Sequence, residues 1–223
     1  MKVGIVYTAT NPESVESINS EIRKKLGGNL EIINYQDSSI LEEVCEHGYV
    51  TASATARLVS MFMQAINDGV DAMLSCCSSV GEVVDASQDL ARYTGIPIVR
   101  IDEEMCREAV RLGKRIGILA TIPTTLEPTK NTVLRVAREM NRQVILVDGF
   151  MEGAFGIEQD VFKKMICDKV AEIIDQVDVI LLAQGSMAYT EEILAERFLK
   201  PVLSSPQFGV ASLAKALEVK GIR

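Results

Sequence analysis

The chain has 223 residues, of which 48% are hydrophobic and 24% are charged, a balance typical of globular proteins. Its net charge of −8 and the lack of a basic stripe argue against binding to nucleic acid. The apolar run at the start is too short for a signal peptide, and no stretch reaches the roughly 20 apolar residues of a membrane span. We therefore expect a cytoplasmic protein with no nucleic-acid or membrane partner.

In chain order, the first half of the sequence alternates short apolar runs with amphipathic patterns. The apolar runs predict strands at residues 3–7, 30–34, 70–75 and 98–101. The amphipathic patterns predict helices at residues 12–26, 39–45, 50–68, 79–93 and 103–113. Asn11 followed by Pro12 is a typical start for the first of these helices.

The same alternation starts again near residue 115. Strands are predicted at residues 115–120, 143–147, 179–182 and 200–203, with a loop at 149–156. Helices are predicted at residues 124–141, 157–176, 189–198 and 206–219, and Thr124 with Glu127 fits a capping box. Strands separated by helices throughout indicate parallel α/β sheets.

The two halves repeat each other. KVGIV at residues 2–6 matches RIGIL at 115–119, and DAMLS at 71–75 matches DVILL at 178–182. GIPIV at residues 95–99 matches LKPVL at 199–203. We therefore predict two pseudo-symmetric lobes, each a four-stranded parallel sheet flanked by helices, with an active-site cleft between them.

Polar residues follow the strands of both lobes, at the carboxyl ends where open parallel sheets bind their ligands. In the first lobe these are Thr8, Asn11, Cys77, Ser78 and Ser79. In the second they are Thr121, Thr124, Thr125, Gln184, Gly185 and Ser186. The hydroxyl residues also fit an alternative role in turns and helix caps, and Ser79 with Glu82 forms a possible capping box.

Cys77 is the best candidate for chemistry, because it falls where a strand stops and a helix is predicted to begin. A helix N-terminus favours a thiolate and can hold a carboxylate. The alternative role for Cys77 is that of a small buried hydrophobe. Strand alternation places Cys76 on the opposite side, in the core.

The remaining cysteines and the single histidine do not suggest a metal site or a triad. Five cysteines without metal-ligand spacing and one histidine, His47, in a predicted surface loop leave little material for either. No glycine-rich motif for a dinucleotide or a nucleoside phosphate occurs. We expect neither a metal nor a cofactor.

Three motifs resemble the aspartate/glutamate/hydantoin racemase superfamily. They are CSSVGEVVDA at residues 77–86, IGILAT with the threonines at 124 and 125, and the segment DVILLAQGSM at 178–187. The resemblance implies a cofactor-independent, two-lobed enzyme with one cysteine from each lobe on either side of a bound carboxylate. It also implies that the last helix returns to the first lobe, giving lobes of residues 1–112 plus 206–223 and 113–205.

The repeat places Gln184 where the second cysteine of that family belongs, and an amide cannot titrate. The resemblance therefore implies an isomerase-like enzyme in which Cys77 is the thiol acid–base at the α-carbon of a small carboxylate. That substrate would be an amino acid, a hydantoin or a malonate-like acid, and the threonines, serines and Gln184 would bind it. A one-cysteine decarboxylase or lyase and a non-catalytic carboxylate-binding protein are the alternatives. We also expect a homo-oligomer.

Overall fold

The computed structural model describes residues 1–9 and 12–222, so the predicted N-cap and ligand Asn11 lies outside the described residues. The chain divides into two compact units, one formed by Met1–Ile101 with the segment from Pro206 onward, the other by Asp102–Ser205. Within the described ranges, no helix is long and apolar enough to cross a bilayer.

Strands and helices alternate along the chain. The strands are β1 Lys2–Tyr7, β2 Glu31–Gln36, β3 Ala72–Ser75, β4 Ile98–Arg100, β5 Arg115–Ala120, β6 Ile145–Phe150, β7 Val179–Leu182 and β8 Val202–Ser204. The helices are α1 Pro12–Leu26, α2 Ser38–His47, α3 Ala52–Asn67, α4 Gly81–Ala86, α5 Gln88–Thr94, α6 Glu103–Leu112, α7 Pro123–Glu139, α8 Gln159–Ile173, α9 Glu191–Phe198 and α10 Ser205–Val219. Short 3₁₀ turns follow β3 at Ser78–Val80, α8 at Ile174–Gln176 and β7 at Gly185–Thr190.

Each unit contains one four-stranded parallel sheet, and the strand order is the same in both. The first sheet runs β2-β1-β3-β4 and the second runs β6-β5-β7-β8. In the first, Val6 pairs with Ser75, and in the second, Leu119 pairs with Leu182. The predicted α/β class, with two four-stranded parallel sheets flanked by helices, is confirmed.

The first sheet separates two layers of core. Ile5 and Leu74 point into a cluster that contains Ile22 of α1 and Leu213 of α10. On the other face, Val6 and Met73 pack with residues of α3 and α4 that include Phe62 and Val84. Because side chains alternate along a strand, each face is supplied by every second residue.

Helix α6 belongs to the second unit, although the sequence placed its residues at the end of the first lobe. Arg107 of α6 forms ion pairs with Glu103 on its own helix, at 2.6 Å, and with Glu139 of α7. Arg135 of α7 forms an ion pair with Glu103 at 3.2 Å. The division therefore falls at Ile101, eleven residues before the predicted boundary at 112.

The predicted helix at residues 79–93 is wrong as a single element. It is a 3₁₀ turn, then α4, then α5, with a break at Ser87. The hydroxyl of Ser87 donates to the carbonyl of Val83 at 2.7 Å, a local bond of the kind that bends helices. Ser79 caps neither segment, because α4 follows Val80 and has no side-chain cap.

Two other predicted boundaries differ from those in the structure, at the start of α7 and at the end of β6. Helix α7 begins at Pro123 after Ile122, with no side-chain cap, so the predicted capping box at Thr124 is wrong and the proline marks the start. Gly149 lies within β6, opposite Leu119, rather than in a loop. A Cβ on Gly149 would overlap the Leu119 side chain, so this glycine permits a close approach inside the sheet.

In both units, an aspartate just before the third strand accepts hydrogen bonds from backbone N–H groups at the start of the first strand. Asp71 accepts the N–H of Lys2 at 2.8 Å. Asp178 accepts the N–H groups of Arg115 at 2.8 Å and Lys114 at 3.1 Å, and pairs with the Arg115 guanidinium at 2.6 Å. The guanidinium and the backbone N–H of Arg115 lower the pKa of Asp178 from 3.8 to about 2.

We expect the contribution of Asp178 to stability to be present above its unfolded pKa and to be lost as pH falls toward 2. This follows because the folded-state pKa is the lower one, so acid protonates the unfolded state first. Urea unfolding of wild type and Asp178→Asn should differ at pH 5 and converge near pH 2. The exposed Asp89→Asn is the control for the loss of a surface ion pair. A carboxyl titration of Asp178 near pH 4 by NMR would contradict the expectation.

Candidate active site

Cys77 lies just beyond the carboxyl end of β3. The N–H of Cys76 still donates to the carbonyl of Val6 at 2.9 Å, so the chain follows the sheet up to this point. Cys77 is extended, with φ −140° and ψ 115°, and occupies the N-cap position of the 3₁₀ turn Ser78–Val80. Cys77 packs on the side of Phe62, and Cys76 packs on the opposite side with Leu74, as alternation predicts.

Four groups are placed to act on the sulfur of Cys77, which is half-buried. They are the hydroxyls of Thr8 and Ser79 and the backbone N–H groups of Ser79 and Val80. Thr8 is 1% exposed, and its hydroxyl has no conventional hydrogen-bond partner among the described residues. The N–H groups of Ser79 and Val80 are those that a side chain at an N-cap position faces.

Burial raises the pKa of Cys77 above its ordinary 9.0, although these four groups lower it. The sequence had suggested the reverse, a thiolate stabilised by a helix N-terminus. The reason is burial, and a three-residue 3₁₀ turn and the six-residue α4 stand where the sequence predicted a long helix. The raised pKa favours the thiol over the thiolate at neutral pH.

Gln184 occupies the equivalent position in the second unit. The N–H of Ala183 donates to the carbonyl of Leu119 at 3.0 Å, just as Cys76 does to Val6. Gln184 is also extended, with φ −117° and ψ 130°, and also occupies the N-cap position of a 3₁₀ turn. The strand registers place it two residues beyond Leu182, as Cys77 lies two residues beyond Ser75.

The side chain of Gln184 is bound within its own unit. Its Oε1 accepts the N–H of Thr121 at 2.7 Å, and its Nε2 donates to the Thr121 hydroxyl at 2.8 Å. Thr121 is the register counterpart of Thr8. Each unit therefore places a buried threonine after its first strand and a cysteine or a glutamine at the equivalent position after its third.

The other predicted ligands are distributed around these two pairs. Ser78, Thr124 and Thr125 are buried, the last two in the first turn of α7. Gly185 is half-buried and Ser186 is exposed, both in the 3₁₀ turn after Gln184. The structure thus brings Thr8, Cys77 and Ser79 together in the first unit.

Sequence reasoning missed a charged pair beside the Cys77 turn. Arg100, at the end of β4, pairs with Asp85 of α4 at 2.7 Å, and its side chain is 2% exposed. The available signal was an arginine, Arg100, inside the apolar run at 98–101. Its burial depends on Gly81, which is distant in sequence.

The family model for Asp/Glu/hydantoin racemases matches residues 3–213 of the chain. No curated protein matches the sequence significantly. Many solved structures share the fold. The glutamate racemase RacE1 of Bacillus anthracis is 15% identical over 99% of this chain and 82% of its own, with a TM-score of 0.73.

Two further structures show how broad the fold is. Allantoin racemase from Pseudomonas fluorescens is 19% identical, covers 100% of this chain and 92% of its own, and has a TM-score of 0.67. Unliganded arylmalonate decarboxylase is 14% identical over 96% of this chain and 92% of its own, with a TM-score of 0.60. The match of the family model over nearly the whole sequence decides membership: the chain belongs to the Asp/Glu/hydantoin racemase family.

Proposed function

We propose that this protein is an enzyme that transfers a proton at the α-carbon of a small carboxylate, with Cys77 as the acid–base. One observation carries the proposal: Cys77 lies at the N-cap position of the turn after β3, where the N–H groups of Ser79 and Val80 and the hydroxyls of Thr8 and Ser79 act to lower its pKa. These donors stabilise a thiolate once the proton has left. A half-buried thiol serving only as packing would need none of them.

The raised pKa of Cys77 favours the thiol as the resting form, and a thiol is a proton donor. Its conjugate thiolate is correspondingly a strong base, present in a small fraction at neutral pH. The proposal therefore includes both directions of transfer. Delivery of a proton to a carbanion is favoured at neutral pH, and removal of an α-proton becomes more efficient as pH rises.

Gln184 makes symmetric two-base racemisation the less favoured reaction. Its register matches that of Cys77, but an amide has no proton to exchange near neutral pH, and both of its polar atoms are bound to Thr121. This observation supports a second candidate function, the decarboxylation of a malonate-like diacid. There the C–C bond breaks, CO₂ leaves, and the electron pair stays on the α-carbon as an enediolate. The thiol of Cys77 then protonates that carbon, and water returns a proton to the thiolate.

We expect the two reactions to differ in their dependence on pH. Proton abstraction requires the thiolate, so α-proton exchange should rise with pH up to the raised pKa of Cys77. Decarboxylation requires the thiol, so its rate should stay level at neutral pH and fall above that pKa. Proton NMR in D₂O with amino acids, hydantoins and substituted malonates, read between pH 6 and 10, measures both.

The controls for this panel are Cys77→Ser and chiral analysis of the product. One-sided exchange or a single enantiomeric product would agree with a single thiol, and a racemic product would assign a second acid–base. Ligand-induced shifts of protein signals without exchange or product would contradict the enzyme and favour a carboxylate-binding protein.

A further inference from the structure

Arg100 is a buried arginine beside the strand that carries Cys77. Its Cα pairs with that of Ser75, two residues before Cys77. The guanidinium pairs with Asp85 of α4, Nη1 to Oδ2, at 2.7 Å. A buried guanidinium is costly unless it is paired, so the ion pair fixes where this group lies.

Gly81 allows the guanidinium to lie against the backbone of the turn. Gly81 begins α4, directly after the 3₁₀ turn Ser78–Val80. A Cβ at this position would lie 2.5 Å from Cζ and 2.9 Å from Nε of Arg100. Its φ of −58° is ordinary for any residue, so the close approach and not the torsion calls for glycine.

The turn that Arg100 lies against contains the backbone N–H groups that would donate to the sulfur of Cys77. Ser79 and Val80 immediately precede Gly81, and their N–H groups are the ones that a side chain at the N-cap position of Cys77 faces. Arg100 touches the chain at Gly81 and again at Asp85, one helical turn later. We propose that Arg100 is a positioning residue that fixes these backbone donors toward Cys77, an inference that rests on the proposed role of that thiol.

The second unit offers an internal comparison. Ser204 takes the register position of Arg100, opposite Leu182, and its hydroxyl donates to Glu191. The arginine is thus found in the unit with the thiol, and a serine in the unit with Gln184. Asp85 balances the charge of the guanidinium, so Arg100 acts through the placement of the turn and not as a free cation.

The test is the pH dependence of Cys77 alkylation by iodoacetamide, with the modified residue located by fragment-ion mass spectrometry. Arg100→Lys keeps a charge but loses the planar group that packs on Gly81. We expect the midpoint of alkylation to move to higher pH and the rate at pH 8 to fall about three- to tenfold, because fewer donors stabilise the thiolate.

Two further variants keep the test decisive if Arg100→Lys does not fold. Gly81→Ala displaces the guanidinium without removing it, and Asp85→Asn, at the half-exposed end of the pair, releases it. Both should shift the midpoint upward. Arg57→Lys is the matched control, because Arg57 also forms ion pairs in the first unit, with Asp37 and Glu43 of another element.

An unchanged midpoint in the variants that fold would overturn the inference. A midpoint that moves to lower pH would also overturn it, since Arg100 would then merely keep the thiol buried. Alkylation needs no substrate, so this result is independent of whether the substrate panel reveals an activity. Loss of activity in Cys77→Ser, in turn, does not depend on Arg100.

Discussion

Replacement of Cys77 by serine is expected to abolish α-carbon chemistry while leaving the fold intact. A serine hydroxyl fits the same space between Thr8 and the turn, but it does not titrate in the accessible range. Loss of a general acid–base typically costs about 10²–10⁴-fold in rate, and among the described residues Cys77 is the cysteine that packs in the cluster on this side of β3. The measurement is α-proton exchange or decarboxylation by NMR in D₂O, with the substrate that the panel identifies.

Cys76→Ala is the matched control for that experiment. Cys76 is adjacent in sequence, but it packs with Ile5 and Leu74 on the opposite side of the strand. Its replacement should lower stability modestly and leave the rate within about twofold. Far-ultraviolet circular dichroism of both variants establishes that they fold. Full activity in Cys77→Ser would overturn the assignment of the acid–base.

Replacement of Phe62 by alanine is expected to lower the free energy of unfolding by about 3–5 kcal/mol. Phe62 is fully buried in α3 and is among the largest of the fully buried side chains. It fills the space between α3 and the first sheet, in the cluster against which Cys77 packs. Truncation to alanine would lose the stabilisation that comes from burying the ring, and it would leave a cavity beside Val6 and Val84.

Met63→Ala is the control for Phe62→Ala, because Met63 is the next residue of the same helix and is 41% exposed. Its replacement should change the free energy of unfolding by less than about 0.5 kcal/mol. Urea titrations followed by circular dichroism and by tyrosine fluorescence measure both variants. The two probes should be compared, since two compact units can unfold separately. A cost below about 1 kcal/mol for Phe62→Ala would mean that the first core is loosely packed.

The fold could be predicted from the sequence largely because the two halves of the sequence repeat each other. Apolar runs alone are ambiguous between strands and buried helices. The match of residues 2–6 with 115–119, and of 71–75 with 178–182, identified the first and third strand of each unit. Strand alternation likewise assigned Cys76 and Cys77 to opposite sides correctly.

What the sequence could not predict depended on contacts between distant residues. Gly149 was predicted to begin a loop because glycine is common in turns, but close packing against Leu119 requires it inside β6. The break at Ser87 depends on a side-chain bond to Val83 that competes with the helix.

The candidate site shows the same limit. The direction of the Cys77 pKa shift could not be predicted from its place in the chain, because burial raises the pKa by more than the N–H groups of the following turn lower it. Arg100 escaped notice because its importance depends on Gly81 and Asp85. The roles of the remaining predicted ligands stay predictions.

The return of α10 to the first sheet has a consequence for synthesis on the ribosome. The first unit needs Leu213 and Leu217 to complete one of its two cores, and these residues are translated after the whole of Asp102–Ser205. The second unit, in contrast, is one continuous segment. We therefore expect it to complete its fold while the nascent first unit still exposes the apolar face of Ile5 and Leu74, which makes that face the natural target for a chaperone until α10 emerges.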